Sequence, residues 1–179
     1  MTRNKQHYTG GLTLIELLLA LVILGVLVSI AEASYSALFA HQALIQHAEK
    51  LSRILRLTSS QAIRKNRVIY AHFCPLNELG AWQVITTDAN SCNCSDTSSC
   101  LLDGVLLSEP ISDGNKVSIS AADINFSSQQ ASYGPMRFNV NTGSVKFSSL
   151  DGAQLKVIQS TMRLRVCSPD QDLLGYKKC

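Results

Sequence analysis

A chain of 179 residues holds material for about one domain, and roughly 150 residues remain for a core once its most apolar stretch is set aside. A net charge of +3 names no partner, and the lack of like-charge blocks, low-complexity tracts or internal repeats argues against long disorder or a repeat array. Six cysteines fit disulfides in an oxidising compartment better than cytosolic thiols.

The first element is an apolar run from Leu12 to Ala31, interrupted only by Thr13, Glu16, Gly25 and Ser29. As a helix it spans about 30 Å, enough for one bilayer crossing. Arg3 and Lys5 precede it, and the positive-inside rule keeps the N-terminus cytoplasmic and sends the rest of the chain outward. The plain alternative is a secretory signal. Such a signal has an apolar core of only about 7–15 residues followed by a small-residue cleavage site, whereas here the run is longer and Gly10 and Gly11 precede it.

The stretch "GG-LTLIELLLALVILGVLVSIA" resembles the class III signal of type IV pilins and type II secretion pseudopilins. The resemblance implies that a prepilin peptidase cuts between Gly11 and Leu12, methylates the new amine of Leu12, and leaves the helix in the mature chain. Residues 1–11 are then a cleaved basic leader. Leu12 stands where phenylalanine is commoner, and the proline that many major pilins carry near mid-helix is missing, which implies a straighter helix.

Glu16 is the one acid in the run. An ionised carboxylate in hydrocarbon costs several kcal/mol unless it is paired, in the order of about 3 by insertion scales. Cleavage at Gly11 creates a cation, the α-amine of Leu12, and pairing with that amine on an adjacent subunit makes Glu16 an assembly register. The plainer reading is an acid near the interface that snorkels or protonates.

Beyond Glu32, the residues Leu44, Ala48, Leu51, Leu55, Thr58 and Ala62 recur at steps of four and three, which marks one face of an amphipathic helix. No Pro or Gly interrupts residues 26–66, so a single rod of about 55 residues is expected, near 80 Å long. Its membrane half covers residues 12–35 and its amphipathic half residues 36–66. His41 and His47 lie on the second half and read as helix-surface residues.

From Arg67 the period falls to two. Candidate strands are Val68 to Phe73, Trp82 to Thr86, Val105 to Ser108, Lys116 to Ser120, Ile124 to Ser127, Met136 to Val140, Ser144 to Phe147, Gln154 to Ile158 and Met162 to Cys167. In "MRFNVNTGSVKF", Met136, Phe138 and Val140 alternate, Asn141, Thr142 and Gly143 read as a turn, and Val145 and Phe147 return as a hairpin. The fold class expected is α+β and pilin-like: a long N-terminal transmembrane and amphipathic helix packed on an antiparallel β-sheet head formed by residues 67–179.

"LSRILRLTSSQAIRKNRVIYAHFC" followed by "AWQVITTD" is similar to the GspH/FimT group of minor pilins and minor pseudopilins. The C-terminal strand of that group often reads Gly-Arg-x-Arg, and "MRLRVC" keeps Arg163 and Arg165 with Met162 in the glycine's place. Alternation puts Met162, Leu164 and Val166 toward the core and both arginines toward solvent. Some FimT-like minor pilins bind DNA during transformation, so the resemblance allows DNA contact at Arg163 and Arg165; a solvated strand face is the plainer reading.

Cys167 and Cys179 bracket "SPDQDLLGYKK", a loop of the kind that pilins close near the C-terminus, and a bridge between them is expected. Cys74, Cys92, Cys94 and Cys100 are expected to form two further bridges, with pairing open. "CNCSDTSSC" lacks a fourth nearby ligand and His72 falls outside a zinc spacing, so no metal is expected. No nucleophile motif, phosphate loop or zinc-protease helix motif occurs, so neither catalysis nor a cofactor is expected.

Two functional classes follow. In the first the chain is a structural minor pilin of the bacterial inner membrane, head in the periplasm, joining the major pilin and other minor pilins to prime or cap a pilus; a pseudopilin of type II secretion shares the same physics. In the second the head is a binding module for DNA or a secreted substrate.

Overall fold

The computed structural model describes residues 13–77, 79–136, 139–170, 172–173 and 175–179, with the side chains at 30–34, 36 and 37 outside the description. Gly11 and Leu12, the expected cleavage pair, lie outside the described residues. The chain forms two compact units, Met1–Leu38 and Phe39–Cys179.

One helix, α1 (Leu14–Lys65), supplies the described backbone of the first unit and opens the second. In the first unit every large apolar side chain from Leu14 to Val28 is more than half exposed. Among the described residues no helix is long and apolar enough to cross a membrane. Within the apolar sequence, which runs from Leu12 to Ala31, the described side chains are those from Thr13 to Ser29.

In the second unit α1 buries Leu44, Ala48, Leu51, Leu55, Thr58 and Ala62. The three leucines contribute about 2 kcal/mol each by leaving water. The helix ends at Asn66, whose φ of +50° is the left-handed conformation that asparagine tolerates at a helix terminus. There the N–H of Arg67 donates to the Ala62 carbonyl at 3.3 Å, and Arg64 and Lys65 place positive charge on the last turn.

Among the described residues nine strands follow: β1 (Ile69–Pro75), β2 (Trp82–Thr87), β3 (Leu107–Pro110), β4 (Val117–Ser118), β5 (Ile124–Asn125), β6 (Gln130–Tyr133), β7 (Gly143–Ser149), β8 (Gln154–Gln159) and β9 (Leu164–Cys167). They make two antiparallel sheets, one ordered β3-β2-β1-β6 and the other β4-β7-β8-β9, with β5 also pairing β7. The head is therefore α+β, with the helix packed on antiparallel sheet.

Alternation decides what each face meets. On β1, Ile69, Ala71 and Phe73 join the main core with the helix leucines, while Cys74 faces a second cluster with Ile85 and Cys100. Trp82 ties the sheets' loops together: its indole N–H donates to the Ile119 carbonyl and its main-chain N–H to the Ser112 hydroxyl, both at 2.8 Å.

The structure corrects the sequence reading in several places, among them the strands expected at Lys116–Ser120 and Ile124–Ser127, which shorten to Val117–Ser118 and Ile124–Asn125. The hairpin of Met136–Val140 on Ser144–Phe147 does not form. Val140 bridges Tyr133, and β7 pairs instead with β8, β4 and β5; Phe138 lies outside the described residues. Gly143 is the first residue of β7 rather than a turn glycine, and it is small because the Phe126 ring lies over it: a β-carbon there would meet that ring at 2.3 Å. The strand sought at Val105–Ser108 begins two residues later, because Leu102 and Val105 close a turn through Asp103 and Gly104, both at positive φ. Finally, β6 was not anticipated, since "QASY" offers only Ala131 and Tyr133 as alternating apolar residues behind a polar run.

Candidate functional site

The chemistry of the helix start begins with two residues three apart. Thr13 and Glu16 cap α1 reciprocally: the Thr13 main-chain N–H and hydroxyl both donate to Glu16 Oε2 at 3.2 Å, and the Glu16 N–H donates to Thr13 Oγ1 at 3.3 Å. This is a capping box, in which each side chain satisfies a backbone donor that the helix leaves orphaned. The spacing Thr-x-x-Glu at the start of the apolar run is the sequence signal for this cap. Both residues are exposed in the single chain, and Oε2 alone is engaged among the described residues. Glu16 is thus held at the helix start by its own chain through neutral donors.

Arg163 and Arg165 do not form a pair on one strand face. Ser160 and Arg163 close the β8–β9 turn, with the Ser160 N–H and hydroxyl donating to the Arg163 carbonyl at 2.9 Å. The strand therefore starts only at Leu164. Met162 is 82% exposed rather than core, because it belongs to that turn. Leu164 and Val166 are half-buried and pack on the main core. Arg165 is half-buried, and its guanidinium donates to the main-chain oxygen of Cys179 at 3.1 Å.

The six cysteines are bridged Cys74–Cys94, Cys92–Cys100 and Cys167–Cys179. The first two fasten the segment after Thr87 across the outer face of the first sheet, where Cys100 is buried against Ile85. Thr87 Oγ1 donates to the Leu101 carbonyl at 3.0 Å, and the buried His72 ring lies 3.1 Å from the Ala89 carbonyl through Nε2. Arg67 adds a charged staple to Asp88 at 2.6 Å, and both Arg67 and Lys65 contact Asp103. The third bridge closes a C-terminal loop that touches the helix, where the Tyr176 hydroxyl donates to Glu49 Oε1 at 2.8 Å. Desolvation and the Glu49 carboxylate push that phenol up to about 12.

The histidines are placed differently from one another. His41 pairs with Asp151 at 2.6 Å, so it joins the helix to the head rather than pointing free. His47, expected on the surface, is half-buried with an unpartnered Nδ1. Burial pushes its imidazole below the ordinary value, against the opposing pull of Asp113 and the Ile111 carbonyl. Burial likewise lowers His72, against the Ala89 carbonyl. Among the described residues no group of His, Cys, Asp and Glu is arranged to hold a metal ion.

Residues 47–172 match the family described as Type II transport protein GspH. The chain belongs to the GspH family. Residues 7–31 match the prokaryotic N-terminal methylation motif, which brings prepilin processing, membrane anchoring through the N-terminal helix and association with other pilins. A GspH-family head behind that motif is a minor pilin or pseudopilin subunit, a structural class of protein. No curated protein and no solved structure matches the chain.

Proposed function

We propose that this GspH-family chain is a minor pilin of a type IV pilus, released from its leader behind Gly11 and held in the bacterial inner membrane by the helix that begins at Leu12. The head stands in the periplasm until the subunit joins the major pilin and other minor pilins to prime or cap a filament. Glu16 is the docking group, and it accepts the methylated α-amine of Leu12 on an adjacent subunit.

The observation that carries this reading is the capping box. Bonds from Thr13 orient the carboxylate and offset part of its desolvation, since a hydrogen bond to a charged group contributes about 1.5–3 kcal/mol. They supply no positive charge. A free subunit therefore keeps a net negative group in hydrocarbon, which a neighbour's ammonium neutralises on docking. Because Oε2 already faces Thr13, the incoming amine meets Oε1 in a fixed direction.

Incorporation into sheared filaments tests the proposal. Glu16→Ala lowers incorporation by about ten-fold or more, Thr13→Ala lowers it less, and Thr13→Ser keeps it near wild type. Wild-type incorporation of Glu16→Ala contradicts the reading.

A pseudopilus subunit of type II secretion is the second reading, supported by the description of the matching family. The C-terminal loop closed by Cys167–Cys179 supports the pilus instead, because it is of the kind that pilins carry. Co-purification separates the two: the major pilin for a pilus, the major pseudopilin for secretion. DNA capture through Arg163 and Arg165 has less support, since the Arg165 guanidinium is spent on Cys179.

A further inference from the structure

A groove of about 540 Å³ opens in the head between α1, the end of β6 and the β8–β9 turn. Its floor is fixed. Tyr133 is buried and its hydroxyl bonds Gln159 Oε1 at 3.1 Å, while the Gly134 N–H donates to the Asn139 carbonyl at 2.6 Å. Its walls carry two kinds of chemistry. Arg56 enters from the helix and Arg163 from the turn, and Ile63, Met136 and Met162 stand 47%, 72% and 82% exposed around them.

Lys50, Lys65, Arg67 and Lys146 of the same head are each neutralised by an aspartate or glutamate. Among the described residues neither Arg56 nor Arg163 has such a partner, and no acid lines the groove. Among the described residues Arg53, Arg64, Lys116 and Lys156 have no acid partner either, so what sets Arg56 and Arg163 apart is that both line one groove. Two cations facing one concavity repel each other, so an anion between them gains from both.

We propose that this groove receives a segment of a partner polypeptide in which a carboxylate is flanked by apolar side chains. The carboxylate sits between Arg56 and Arg163, and the neighbouring side chains cover Ile63, Met136 and Met162. Methionine is a flexible, polarisable contact that adapts to varied partner surfaces. A nucleic acid fits less well: single strands are held by aromatic stacking platforms and by several cations tracking the backbone, and among the described residues this groove shows two cations and one aromatic ring, buried in the floor. The proposal goes beyond filament entry and holds whether the chain serves a pilus or a pseudopilus.

Fluorescence anisotropy on the full chain in detergent micelles tests it with three labelled probes. These are the capped peptide Ala-Leu-Glu-Leu-Ala, its glutamine analogue Ala-Leu-Gln-Leu-Ala, and a twelve-nucleotide oligo-dT. The glutamate peptide binds saturably, and the glutamine analogue binds about ten-fold more weakly. Arg56→Gln and Arg163→Gln each weaken the glutamate peptide by a similar factor, Met162→Ser weakens both peptides, and Arg165→Gln changes neither. Arg56, Met162 and Arg163 are exposed and Arg165 is half-buried, and far-UV circular dichroism checks that each variant stays folded. No saturable peptide binding, equal affinity for the two peptides, or indifference to both arginine substitutions overturns the proposal. So does oligo-dT binding that depends on Arg56 and Arg163 while the peptides do not bind.

Discussion

At the scale of single residues, placement turns on which neighbour claims each polar group. His72 is nearly sealed beneath the disulfide-bound segment, and burial holds its imidazole below the ordinary 6.5 while the Ala89 carbonyl pulls the other way. An unfolded chain then binds more protons than the folded one as pH falls through about 6.5, so stability falls with pH across that window. The urea midpoint is expected to drop between about pH 7.5 and about pH 5.5, and to drop less in His72→Gln. An equal drop in both proteins contradicts the assignment. Gly143 gives a second residue-scale prediction. A β-carbon there meets the Phe126 ring, itself stacked on Phe73 at 5.4 Å, so Gly143→Ala costs about 1–3 kcal/mol in urea unfolding, and an unchanged midpoint contradicts it. The role of this glycine was not legible in "NTGSV", because a turn and a close aromatic approach both ask for a residue without a side chain.

Among elements, α1 was the most legible. Six positions at steps of four and three predict its buried face, and those six are buried, since a 3.6-residue period leaves one face to meet the sheet. Strands were legible where apolar and β-branched residues clustered or alternated, as in β1, β2, β7 and β8. Alternation failed at β6, whose outward positions are glutamine and serine. At "MRLRVC" it was misread because Ser160 and Arg163 close a turn that uses two of the residues counted as strand. That turn also explains why the two arginines part: Arg163 faces the groove beside Arg56, and Arg165 reaches the C-terminal loop. The loop's bridge has a measurable worth. Closing a loop of 12-residue separation contributes about 3 kcal/mol in the chain-entropy model. Replacing Cys167 and Cys179 together by serine is expected to lower stability by about that amount and to expose Tyr176, which is read by its fluorescence. Unchanged stability and unchanged tyrosine emission contradict the role given to the loop.

For the molecule as a whole, the two units differ in what their described side chains bury. The first presents side chains from Leu14 to Val28 with no covering core of their own, and the second buries a core from the helix and both sheets. The apolar stretch is explained by membrane and filament, and the motif matched by residues 7–31 names the processing that links the two. The most direct test is the intact mass and N-terminal sequence of the mature chain purified from cells that carry a prepilin peptidase. The account predicts a chain that starts at Leu12 with one methyl group on its amine. A mature chain that starts anywhere else, or that keeps its leader in the assembled filament, contradicts it.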